Sequence, residues 1–159
     1  MPFVLPAALA EPVAGYTIEE TILARTIYGE ASGEKRAGRV AIANVIMNRV
    51  AADLGNDGKP DWWGEGVIEV CLKPWQFSCW NPTDPNRPRI LLADRRAHPF
   101  GECLSIAREA VAGRLDDITG GAVQYLNVRL TERLYGSQPN WVSRMRHTVV
   151  VGRHHFYAL

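Results

Sequence analysis

"ARTIYGEASGE", Ala24 to Glu34, is the stretch on which the reading of this chain turns. It begins as the last turns of an amphipathic helix and ends in glycine and small residues. Upstream, "YTIEETILARTIYGEA" opens on Thr17 with Glu20 three residues later, the pattern of a capping box. Ile18, Ile22, Leu23 and Ile27 then recur at helical spacing and give one apolar face. If the helix runs on to Gly33, Glu30 extends that face, because Leu23, Ile27 and Glu30 are spaced four and three. A carboxylate on an apolar stripe is unusual, and burial there raises its pKa toward the range in which it donates a proton near neutrality. Gly29, Ala31 and Gly33 leave room beside it, and Ile27 and Tyr28 are bulky enough to shield it. Glu34 precedes Lys35 and Arg36 and reads as a solvated charge. Residue types alone leave both carboxylates open between a working acid and helix-end surface charge.

A second helix is expected in "RAGRVAIANVIMNRVAAD", with Val40, Ala43, Ile46, Met47 and Val50 as its stripe and small residues that permit close approach to the first. "LGNDGKPDWWGEG" is loop chemistry, and "GVIEVCLKP" is long enough for a short helix. "WQFSCWNPTDPNRP", rich in aromatics and proline, reads as irregular and partly exposed. A further helix is expected from about Pro99 to Leu115, with Cys103, Ile106, Ala107, Ala110 and Val111 inward. The period then changes. "AVQYLNV", "HTVVVG" and "HHFYAL" read as strands, the last two a hairpin turning at Gly152–Arg153. Helices first and strands last predict an α+β domain.

The 159 residues suit one core, divided here into an arm over 1–16 and a single domain over 17–159. No apolar run approaches the roughly 20 residues that span a bilayer. The apolar start lacks a basic segment and reads as an arm, not a signal peptide. Three cysteines at wide spacing, Cys71, Cys79 and Cys103, predict buried free thiols in place of a disulfide framework. The net charge of +1 hides an asymmetry: residues 1–86 hold 7 Lys/Arg against 11 Asp/Glu, and residues 87–159 hold 11 against 6. A basic half suits an acidic polymer, but its arginines are scattered and no nucleic-acid reading motif accompanies them.

Glycoside cleavage requires a carboxylic acid protonated near neutral pH, which is the property expected of Glu30. Glycan grooves also combine aromatic platforms with amide and hydroxyl side chains. "WQFSCWN" offers Trp75, Gln76, Phe77, Ser78, Trp80 and Asn81, and "QYLN" offers Gln124, Tyr125 and Asn127. Phe77 is equally suited to the core, whereas Trp80, followed by Asn81 and Pro82, is expected to be exposed.

In order and spacing, "ARTIYGEASGE", "GRVAIANVIMNRV", "QFSCW", "GGAVQYLN" and "VGRHHFY" resemble the SleB/CwlJ-type cell wall hydrolases, the spore cortex-lytic enzymes and their bacterial and phage relatives. The resemblance runs from about Thr17 to Tyr157, and with no clear signal peptide it implies a protein held in the cytoplasm until release, or carried on a virion, that acts on the cell wall. It implies a mainly helical, lysozyme-like or lytic-transglycosylase-like fold with a small β-containing lobe across a cleft. It implies Glu30 as the catalytic acid, with Tyr28, Glu34 and His154 on motif positions around the substrate. The implied partner is the glycan strand of peptidoglycan, cut between N-acetylmuramic acid and N-acetylglucosamine by a monomer without metal or cofactor. A transglycosylase needs one Glu. A hydrolase needs a second carboxylate, and the candidates Asp61, Glu65 and Asp84 lie in polar loops.

Two alternatives belong to other classes. A zinc amidase would draw about three ligands from His98, Cys103, His147, His154 and His155, yet no HExxH is present and adjacent His154 and His155 face opposite sides of a strand. A non-catalytic wall-binding or virion module would keep the fold without needing Glu30.

Overall fold

The structure is a computed structural model and describes residues 3–52, 57–58 and 62–159. It is α+β and mostly helical. Helices α1 (Ile18–Ala31), α2 (Arg36–Ala51), α3 (Val67–Leu72), α4 (Arg87–Leu91) and α5 (Phe100–Val111) precede strand β1 (Gln124–Leu126). Helix α6 (Val128–Tyr135) and strands β2 (Arg146–Val151) and β3 (His154–Ala158) complete the chain, with short 3-10 turns at Ala7–Leu9, Ser78–Trp80 and Asn140–Arg144. No helix among the described residues is long and apolar enough to cross a membrane.

Helix α1 starts where the capping box predicts: the Thr17 hydroxyl accepts from the Glu20 amide, and the Glu20 carboxylate accepts from the Thr17 amide. Its burial exceeds the single stripe expected, because every residue from Thr21 to Tyr28 is buried. Helix α2 is likewise buried along Gly38–Ile46. These are central helices wrapped by α3, α4 and α5, so a one-sided apolar pattern understates how much of each is covered. The arm packs on them: Leu9 enters the core and the Val13 amide donates to Thr21.

The three cysteines are free and buried. Burial pushes the thiols of Cys71 and Cys103 up to about 12, so neither ionises near neutrality.

The sheet has the order β1-β3-β2 and is antiparallel throughout. The β2–β3 hairpin turns at Gly152–Arg153 as the sequence predicts. Gly152 has φ of 58°, the left-handed backbone that the first position of such a tight turn requires. His154 and Phe156 face the helices beside Tyr125. His155 and Tyr157 lie on the opposite face of the sheet against His147, where Trp141 also packs on Tyr157 and helps to bury it.

Helices α4 and α6 were not expected from the sequence. In α6, "VRLTERLY" follows an apolar strand directly and buries none of its residues, so no core stripe marks it. Its signal is the cap: Asn127 accepts from the Leu130 amide at 3.0 Å.

Candidate active site

Glu30 is the penultimate residue of α1. The apolar stripe carries it inward: Leu23 and Ile27 are fully buried below it. At this end Gly29 lets the turn at Ser78–Trp80 come close, since a Cβ there would lie 2.7 Å from Cys79 Cβ and Sγ. From the opposite side β1 presents Tyr125, whose hydroxyl donates to Glu30 Oε2 at 3.0 Å. Oε1 is buried with no hydrogen-bond partner.

Burial is the main reason that the Glu30 carboxyl is held above the ordinary carboxylate range, and the negative charge of Asp84 adds to it. The Tyr125 hydroxyl and the neighbouring Cys79 thiol and amide favour the carboxylate and offset part of the rise. The negative end of the α1 dipole acts in the same direction as burial. Cys79 shares this environment, and burial together with the Glu30 charge drives its thiol strongly upward. It is an inert neighbour. Burial likewise raises the Tyr125 phenol well above its ordinary value, so it stays a donor.

Tyr125 is positioned by α2. The Asn44 side chain donates to the Asp116 carbonyl and accepts from the Ile118 amide, both at 3.0 Å. Asn48 donates to the Ala122 carbonyl at 2.9 Å and Arg49 to the Val123 carbonyl at 2.7 Å. Arg49 also donates to Gln124 Oε1 at 2.9 Å. The guanidinium lies over the Phe77 ring at 5.2 Å and the Trp63 ring at 5.7 Å. It is 3% exposed, and Nη1 has no partner. Burial lowers its pKa to about 10, opposed by nearby Tyr125, Cys71 and Glu30. Arg49 was missed in the sequence. The spacing that singles out Glu30 also singles out Arg49, three residues beyond Ile46 on the buried side of α2.

Several expected positions are corrected. Tyr28 does not shield Glu30. Two residues earlier on the helix, it faces elsewhere, against Phe100 at 5.5 Å and beneath the Arg89 guanidinium at 4.6 Å. Phe77 is a core residue, 2% exposed. Trp80 is half-buried, and its indole N–H is taken by the Thr26 hydroxyl at 3.0 Å. Ser78 is exposed at the start of its turn, while Gln76 donates to the Val70 carbonyl at 2.9 Å. Asn127 caps α6 at the edge of a separate basic groove formed with Arg129, Arg133 and Arg153.

Glu34 is not the solvated charge that "EKR" suggests. Its side chain is 8% exposed, pairs with Arg153 at 3.2 Å and lies 3.5 Å from His154 Nδ1. Gly152 makes this possible, since a Cβ there would sit 2.5 Å from Glu34 Oε2. Arg39 donates to the Glu34 carbonyl from below. Glu34 therefore clamps the β2–β3 hairpin onto the α1–α2 corner. His154 stands edge-on to Tyr125 at 5.2 Å, and burial lowers its pKa.

Among possible second carboxylates, Asp84 is half-buried and within electrostatic reach of Glu30, closer to the site than its loop composition suggests. Glu65 is exposed, and Asp61 lies outside the described residues. The zinc-ligand candidates do not converge: His147 Nε2 meets His155 Nδ1 at 3.1 Å on the outer face, while His154 meets Glu34. Among the described residues no three His, Cys, Asp or Glu side chains are grouped to hold a metal.

A family model described as cell wall hydrolase matches residues 33–157, beginning three residues past Glu30. A spore cortex-lytic enzyme of Halalkalibacterium halodurans is 32% identical over 117 residues, covering 72% of this chain and 29% of that protein. The chain thus spans less than a third of the length of this curated relative. Among solved structures, the catalytic domain of the germination-specific lytic transglycosylase SleB from Bacillus anthracis matches with a TM-score of 0.63 and 24% identity, over 91% of this chain and 98% of that one. The catalytic domain of the Bacillus cereus SleB protein matches with a TM-score of 0.62 and 23% identity, over 92% and 94%. At these identities the likeness to solved structures is one of fold.

Proposed function

The chain belongs to the cell wall hydrolase family, and from that premise we propose that it cuts peptidoglycan glycan strands between N-acetylmuramic acid and N-acetylglucosamine, with Glu30 as the acid. The observation that carries this reading is the Glu30 carboxyl itself. Burial and the charge of Asp84 raise its pKa, Tyr125 anchors one oxygen, and the other is buried beside the Cys79 turn.

The reaction follows from one group. The protonated carboxyl donates to the glycosidic oxygen as its bond to the anomeric carbon breaks. The resulting carboxylate then takes the proton of the muramoyl 6-hydroxyl as that oxygen bonds to the same carbon. Glu30 ends protonated, ready for another turn, and the product is a 1,6-anhydro sugar. No second carboxylate takes part. This route also matches what the Bacillus anthracis relative is named for.

A hydrolytic reading is favoured by one observation, the reach of Asp84 to Glu30. A hydrolase would use such a carboxylate to hold water or to form a covalent intermediate, at a separation of roughly 5–9.5 Å. Mass spectrometry of muropeptides from digested peptidoglycan separates the two. Anhydro products, one water lighter than reducing-end products and absent with Glu30→Gln, are expected. Reducing-end products lost on Asp84→Asn would instead establish hydrolysis. Free stem peptides from both the parent and Glu30→Gln would overturn the glycosidase reading.

A further inference from the structure

Trp62 and Trp75 take no part in holding Glu30, yet they are the most unusual aromatic residues of the fold. They are 70% and 85% exposed, while Trp63 and Phe77 beside them are buried. Both have left-handed backbones, with φ of 55° and 66°, a conformation that bulky side chains rarely adopt. Strain of this kind persists where the surroundings impose it, and it clusters at ligand sites. Two large apolar rings are thus held in water on unfavourable backbone, at neighbouring points of one surface.

Between them lies a depression of about 310 Å³. Arg49, Gln76 and Gln124 line it together with Trp63, the Gln76 amide donating to the Val70 carbonyl and Gln124 Oε1 accepting from Arg49. Arg49 is almost wholly buried and keeps an N–H donor, Nη1, without an acceptor. One face of Trp62 is occupied by Lys73, whose Nζ lies 5.7 Å from the ring centroid. The more exposed Trp75 ring has no such cover among the described residues. Flat apolar rings beside amide and guanidinium groups match an uncharged pyranose, whose C–H face stacks while its hydroxyl and acetamido groups hydrogen-bond. The depression adjoins the site through β1, where Gln124 lines it and the next residue, Tyr125, holds Glu30.

We propose that this depression is a sugar subsite, in which an N-acetylhexosamine unit of the glycan strand stacks on Trp75, with Trp62 as the second wall and Arg49 and Gln124 at its polar floor. The assignment rests on the reading that the chain acts on glycan strands. It places one strand contact away from the reacting bond, so its loss weakens binding and leaves the chemistry intact.

The test uses the full chain carrying Glu30→Gln, which does not consume the probe, titrated with chitotetraose in a calorimeter and followed by tryptophan fluorescence. Adding Trp75→Ala is expected to weaken binding about tenfold or more, and Trp62→Ala several-fold. Trp75→Phe, which keeps a stacking ring, should recover part of the loss. Circular dichroism and melting temperature serve as fold controls. In the active chain, Trp75→Ala should raise KM on peptidoglycan with kcat within about threefold and product masses unchanged. Binding and KM within about twofold of the parent in both alanine variants would overturn the subsite, as would no chitotetraose binding at millimolar concentration. Stem-peptide products from the parent chain would count against the glycosidase reading and leave the binding result to stand separately.

Discussion

Glu30 is surrounded by groups that pull its pKa in opposite directions, and each is a separate handle. The Tyr125 hydroxyl favours the carboxylate, so Tyr125→Phe should raise the pKa further and move the alkaline limb of kcat/KM to higher pH. Asp84 opposes ionisation, so Asp84→Asn should move the same limb to lower pH. Both signs follow from one requirement, that an acid catalyst must be protonated and is lost as pH rises through its pKa. pH–rate profiles of the two variants should therefore bracket that of the parent, and shifts in one shared direction would contradict the assignment. Glu30→Gln itself should lower kcat by about 10²–10⁴-fold or more. Retained activity in that variant would remove Glu30 from the chemistry.

The elements depend on polar residues that sequence periodicity undervalues. Asn44 satisfies two backbone groups of the segment leading to β1. Asn44→Ala leaves both without that partner and should cost about 2–3 kcal/mol by urea denaturation, with a fall in kcat as Tyr125 loosens. Gly152 has a positive φ and lies against the Glu34 carboxylate. Gly152→Ala should destabilise by about 1–2 kcal/mol and release the Glu34 clamp, an effect readable in the same denaturation experiment.

The capped start of α1, the inward turn of Glu30 and the β2–β3 hairpin were legible, because each is written in local spacing. What was not legible depended on contacts distant in sequence. Glu34 looks solvated beside Lys35 and Arg36, but its partner Arg153 and its neighbour His154 come from the far end of the chain. Asn127 looks like a glycan ligand until a helix begins after it. Arg49 was legible in principle, since a charge at a buried helical position is the same anomaly as Glu30. Trp80 is half-buried where exposure was expected, because exposure in an irregular segment follows its turns and not its composition.

At the scale of the whole molecule, the acid is a liability to stability. Glu30 has a folded-state pKa above its ordinary 4.5, so ionising it opposes folding. The contribution is fully favourable below the unfolded value and is lost as pH rises through the folded one. Glu30→Gln removes that penalty. The variant should melt above the parent at neutral pH, by about 2–4 °C for each kcal/mol relieved, and the gap should close below about pH 4.5. Differential scanning calorimetry across pH checks this. A gap that is constant with pH would mean that ionisation of Glu30 is not its cause. The fold accepts the penalty because the site lies where two parts of the molecule meet, the α1 end and β1, joined through α2 and the Glu34 clamp.

The central claim is that one buried carboxyl, held protonated by its surroundings, performs the chemistry. Carbon-13 NMR of the glutamate side-chain carboxyls over a pH series, compared with Glu30→Gln, isolates that group directly. The predicted result is one carboxyl resonance absent from the variant, titrating clearly above 4.5 and coinciding with the alkaline limb of kcat/KM. A Glu30 resonance that titrates at or below the ordinary value, or an activity limb that does not follow it, would contradict the account.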